Sequence, residues 1–111
     1  MKTFTSVEEI LNIDDKKWII VYFHASFCKP CKKVSPEFEN LEKKYMNTIC
    51  FGKADIEKTN LGQAFDITMM PVFIVFINEN NQWMEYKRYI GTDLNPIVRL
   101  LDQIVSVKEE N

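Results

Sequence analysis

No stretch of this sequence is long and apolar enough to cross a bilayer. The longest apolar run near the middle, residues 72–77, falls far short of the ~20 residues a membrane helix needs. Positive charge does not dominate either. Fourteen Lys and Arg stand against sixteen Asp and Glu, and a net charge of −2 removes the electrostatic drive toward DNA or RNA. Cysteine is scarce, and three of them cannot form a paired disulfide framework. With three Gly and four Pro, the chain shows no linker, repeat or low-complexity tract. Residues 1–13 have no apolar h-region and carry Glu8 and Glu9, unlike a secretory signal. A cytoplasmic protein is expected, or an organellar one if a leader has been removed.

What is present is the material of a core. A chain of 111 residues, 46% hydrophobic and 13% aromatic, is too apolar for disorder and fits one domain over 1–111. Residues 2–5 read as a short edge strand. Ser6 opens a helix, with Glu9 three residues on in a capping-box relation and Val7, Ile10 and Leu11 as its apolar side. Residues 18–24 are almost wholly apolar without alternation, the mark of a strand buried on both faces. From Cys28 to Met46, apolar Val34, Phe38, Leu41 and Tyr45 recur at helical spacing. Pro36 lies inside that helix and is expected to kink it.

Residues 48–55 read as a second interior strand, 61–65 as a short helix and 72–77 as a third buried strand. Asn78-Glu79-Asn80-Asn81 is a turn, from which residues 83–90 return as a hairpin partner. Thr92 or Asp93 caps a last helix bearing Leu94, Ile97, Val98, Leu101, Ile104 and Val105 on one face, and residues 108–111 form a polar tail. This order predicts an α/β mixed sheet flanked by helices.

Cys28-Lys29-Pro30-Cys31 carries the chemistry. It falls between a buried strand and a long helix, where unpaired N–H groups and the helix dipole stabilise an anion. That setting lowers a thiol pKa from ~8.5 to between ~3.5 and ~7.5, and the thiolate is the nucleophile. Pro30 suits a first helical turn. A Cys-x-x-Cys in this context reads as a redox pair. The bland alternatives are half a zinc site or two inert core thiols. A structural zinc needs four ligands, and only Cys50 and His24 remain to complete it. No metal and no cofactor are expected.

At these residues the sequence resembles the thioredoxin family, from about Phe4 to Val105. The segment Tyr22-Phe23-His24-Ala25-Ser26-Phe27-Cys28-Lys29-Pro30-Cys31-Lys32 is similar to the family's active-site segment. Pro36 matches its kink proline, Lys53-Ala54-Asp55 its strand-end Lys-x-Asp, Met70-Pro71-Val72 its cis-proline loop, and Gly91 the glycine after its last strand. The resemblance implies the thioredoxin fold, a central mixed β-sheet of about five strands flanked by four helices. It also implies a protein-disulfide reductase. Cys28 attacks a partner's disulfide, Cys31 resolves the mixed disulfide, and a thioredoxin reductase or another thiol donor resets the pair. Pro71, if cis, faces the cysteines, and the Met70 backbone pairs with an extended substrate segment. A monomer is expected, with disulfide-containing proteins as partners and neither nucleic acid nor membrane.

Several positions depart from the family pattern. Its buried Asp, six residues before the first Cys, is Tyr22 here. A phenol of pKa ≈ 10 is a poor base, so Tyr22 is expected to fill the core and place its hydroxyl on a partner. Cys31 is then deprotonated through water, Lys53 or another arrangement, and resolution is expected to be slow. Lys29 replaces the usual Gly. A cation there favours the thiolate and a more oxidising pair, unless solvent screens it. Phe27 replaces a Trp and keeps an apolar apron. His24, again at a Trp position, titrates near neutral pH or simply packs. Met70 replaces the common Ile or Thr and adapts its shape to substrate. Cys50 reads as a buried, inert thiol. Lys29, Lys32 and Lys33 either attract acidic partners or form a solvated helix face. Two other functions remain open: a binding module with weak turnover, and an oxidase or isomerase.

Overall fold

In the computed structural model the described residues are 1–110, with side chains described for 1–107. The polar tail read at residues 108–111 has its side chains outside that range. Nine elements follow one another: β1 (Lys2–Thr3), α1 (Val7–Leu11), β2 (Trp18–His24), α2 (Lys29–Tyr45), β3 (Ile49–Asp55), α3 (Leu61–Ala64), β4 (Val72–Glu79), β5 (Gln82–Ile90) and α4 (Asn95–Glu110). The five strands form one mixed sheet in the order β1-β3-β2-β4-β5. β1, β3 and β2 run parallel, whereas β4 lies antiparallel to β2 and β5 antiparallel to β4. The α/β architecture expected from the sequence is therefore the one observed.

The central strands lack polar alternation because each of their faces meets a helix layer. Ile20 and Tyr22 of β2, Phe51 of β3 and Phe73 and Val75 of β4 pack with Val34 and Phe38 of α2 and Ile97 and Leu101 of α4. Ile19, Val21 and Phe23 of β2, with Ile74 and Phe76 of β4, point the other way. They pack with Phe4, with Ile10 of α1 and with Leu61 of α3. Ile19, Ile20, Val21 and Phe23 are 0% exposed, so β2 is buried on both sides.

Local signals set the element ends. Ser6 is the N-cap of α1 and accepts from the Glu9 N–H at 3.2 Å. The Glu9 carboxylate bonds Thr5 N–H and hydroxyl one residue earlier, a displaced form of the predicted capping box. Asp93, one of the two candidate caps for α4, accepts from the Asn95 N–H at 3.0 Å. The hairpin turn is tighter than its polar tetrapeptide suggests. Asn80 and Asn81 hold φ of 56° and 64°, and the ladder continues to Glu79 opposite Gln82. Asn tolerates that left-handed geometry, which suits a two-residue hairpin turn.

Candidate active site

Register gathers the chemistry at one edge of the sheet. His24 at the end of β2 lies opposite Asp55 at the end of β3, and Phe23 lies opposite Val72 at the start of β4. Val72 in turn pairs with Ile90 at the end of β5. The loops holding Cys28, Glu57, Pro71 and Gly91 therefore share this edge. Cys28 is the N-cap of α2, with Pro30 in the first turn, and Cys28 and Cys31 form a disulfide with Cα atoms 5.3 Å apart. The Cys31 N–H donates to Cys28 Sγ at 3.2 Å. That N–H and the positive end of α2 face the Cys28 sulfur, a setting of the kind that stabilises an anion.

A groove of about 420 Å³ opens beside the disulfide, walled by Phe27, Lys29, Pro30, Ile56, Ile67 and Met70. Cys28 lines it and Cys31 does not. Phe27, expected to form an apolar apron, is 66% exposed. Ile56, Ile67 and Thr68 were not anticipated. They belong to loops whose approach to the cysteines depends on strand register. The Met70–Pro71 bond is cis. The Gly91 N–H donates to the Pro71 carbonyl at 2.9 Å, tying the end of β5 to this loop. Gly91 holds φ +110° with open space where a Cβ would stand, so backbone conformation alone calls for glycine there.

Behind Cys31 lies a hydroxyl pair. The Tyr22 hydroxyl is 2.9 Å from the Cys31 carbonyl oxygen and 2.7 Å from Ser35 Oγ, and Ser35 Oγ is 2.8 Å from the same carbonyl. Two hydroxyl protons serve three edges, so two bonds are made at once and the carbonyl always keeps a donor. Ser35 sits one helical turn after Cys31, a spacing that the sequence carries and that reading it missed. The Tyr22 ring stacks on Phe73 at 4.9 Å. Burial pushes its phenol above the ordinary value, so it stays protonated. Lys53, beside Tyr22 on β3, forms an ion pair with Glu39 at 3.6 Å. Burial pulls the His24 imidazole down, with Asp55 working against it. His24 is thereby biased to the neutral form and packs against the Tyr22 ring at 5.4 Å. Burial also raises the Cys50 thiol, in keeping with an inert role.

The thioredoxin family profile matches residues 2–103. The chain belongs to the thioredoxin family. It is 33% identical over 103 residues to a thioredoxin of Mycoplasma genitalium, covering 92% of both chains. Against a thioredoxin of Borreliella burgdorferi it is 40% identical over 72 residues, 58% of this chain and 61% of that one. The chain thus spans about three-fifths of the length of the curated relatives it matches first. Trichomonas vaginalis thioredoxin superposes with a TM-score of 0.83 over 93% of this chain and 96% of that one. At 21% identity that likeness concerns the fold, and it is the thioredoxin fold.

Within this thioredoxin fold one tie escaped the sequence reading. The Glu57 carboxylate accepts from both the N–H and the hydroxyl of Ser26, at 2.5 and 2.7 Å. Ile56 N–H donates to His24 O at 3.0 Å, and Asp55 accepts from Glu57 N–H at 2.8 Å. Together these bonds fasten the loop before Cys28 to the loop after β3. Ser26 and Glu57 are 31 residues apart, and no local pattern joins them. The Ser26 donors hold the Glu57 carboxyl below its ordinary 4.5. A depressed carboxyl pKa means the tie is complete above the ordinary range and is lost as pH falls through the lower folded value. The Ser26 amide resonance should therefore titrate below pH 4.5. Glu57→Gln should abolish that titration while keeping an acceptor. A Ser26 amide indifferent to acid would contradict the tie.

Proposed function

We propose that the protein is a thiol–disulfide oxidoreductase that reduces disulfides in partner proteins through its Cys28-Lys29-Pro30-Cys31 pair. The observation that carries this reading is the Cys28–Cys31 disulfide at the N-cap of α2, with only Cys28 lining the groove. The Cys28 thiolate attacks one sulfur of a partner disulfide, and the other sulfur leaves as a thiolate. The Cys31 thiolate then attacks Cys28 Sγ and expels the second partner thiolate. Two electrons pass to the partner, and the Cys28–Cys31 bond closes. A reductase or a small dithiol reopens it. Phe27 and Met70 supply apolar contact, the loop of Pro71 and Gly91 faces the extended substrate, and Lys29 favours the thiolate. Tyr22 takes no proton, so Cys31 gives its proton to water and resolution is slow. We place the protein in a reducing compartment, the cytoplasm, as a monomer. Its unpaired Cys50 is at home there.

Insulin reduction driven by dithiothreitol should run faster with catalytic amounts of the protein. Its potential against glutathione should lie nearer the about −270 mV of a reductant than the about −120 mV of an oxidant. Acceleration no greater than that of Cys28→Ser would favour a binding module, the reading that the loss of the buried acid at Tyr22 supports. A potential near the oxidant value would favour an oxidase or isomerase.

A further inference from the structure

Beside the disulfide, α2 presents Lys29, Lys32 and Lys33. Their spacing of three and four residues puts them on one helical face, and all three are exposed. None makes an ion pair among the described residues, and the first turn of α2 contains no acid. Lys29 also lines the groove, so the charged face and the apolar groove are continuous. Three other carboxylates have partners of their own, two of them bound by neutral donors that leave the charge in place. Glu57 is bound to Ser26, Asp55 accepts from the N–H groups of residues 57 and 58, and Glu39 faces Lys53. Glu37 is the one acid on the adjoining turn, so residues 29–37 of α2 carry three cations against one anion. The positive end of α2 adds to them.

Building on the reductase reading, we propose that this lysine face selects protein disulfides flanked by acidic residues. The apolar groove holds the residues next to the cystine, and the lysines meet carboxylates farther along the partner segment. Such complementarity acts mainly on the encounter and is screened by salt. In a chain whose net charge is −2, the attraction comes from this patch and not from the molecule as a whole.

The test compares cystine peptides identical but for three flanking residues: Glu, Gln or Lys. The reduced protein is mixed with each, and the exchange rate is divided by that of dithiothreitol on the same peptide. This division removes the repulsion that any thiolate feels from nearby carboxylates. At 20 mM salt the Glu peptide should react about tenfold faster than the Lys peptide, a modest case of electrostatic steering. The ratio should fall toward one at 500 mM salt. Lys32→Glu with Lys33→Glu should abolish or invert it, whereas Lys43→Glu with Lys87→Glu, the same charge change on other surfaces, should leave it standing. A wild-type ratio near one at low salt overturns the proposal, and so does an equal loss in the Lys43/Lys87 control. If the peptides are reduced without preference, only the acidic-partner inference falls. If none is reduced, the reductase reading falls with it.

Discussion

Cys31→Ser is expected to leave the protein covalently tied to its substrate, and Cys28→Ser to leave it free and inactive. The asymmetry follows from where the two sulfurs lie. Cys28 caps α2 and lines the groove, and Cys31 lies one turn into the helix, its N–H directed at Cys28 Sγ. A partner disulfide entering the groove meets Cys28 first. Without Cys31 nothing within the molecule attacks the resulting mixed disulfide, so it accumulates. Without Cys28 no mixed disulfide forms. Turnover should then fall on the order of a thousandfold or more, the scale seen when a covalent nucleophile is removed, and reach the rate of the thiol donor alone. Non-reducing electrophoresis and intact-mass measurement after mixing with a disulfide protein read both outcomes. Trapping by Cys28→Ser and none by Cys31→Ser would reverse the assignment. Equal trapping by both would remove the basis for a directed exchange.

The elements that sequence reading found are those whose causes are local. β2 and β4 show as uninterrupted apolar runs because helices cover both their faces. α2 shows as a stripe because Val34, Phe38 and Tyr45 are buried in one core and Leu41 packs against it. Cys28 at a strand–helix junction shows because N-capping is a short-range arrangement. What stayed hidden depends on residues brought together from afar. Asn78 and Glu79 look like turn residues, yet they continue β4 because β5 pairs with them. The Ser26–Glu57 tie exists only once β2 and β3 stand in register. The cis bond at Pro71 was expected from family resemblance alone, since an X-Pro pair does not announce its isomer. The loss of an acid at Tyr22 was plain in the sequence. Its replacement by a hydroxyl pair on the Cys31 carbonyl needed the structure.

Truncating Tyr22 should separate its packing from its hydroxyl. The ring is 2% exposed, stacked on Phe73 at 4.9 Å and tilted against Phe38 at 5.4 Å. Tyr22→Ala removes an aromatic ring from a closed core and should cost about 3–5 kcal/mol, read as a shifted midpoint in urea. Tyr22→Phe keeps the ring. It removes one hydroxyl from a triangle in which Ser35 still donates to the Cys31 carbonyl, so about 1 kcal/mol is expected. The rate should barely notice the second change. Burial raises the phenol pKa, so Tyr22 holds its proton at neutral pH and accepts none from Cys31. Tyr22→Phe should therefore keep the single-turnover rate of mixed-disulfide resolution within about fivefold, with the same pH dependence, since one neutral hydrogen bond contributes about 1 kcal/mol. A tenfold loss with a displaced pH profile would mean that the hydroxyl pair moves protons to or from Cys31. The buried acid of the family would then have been replaced in function as well as in place.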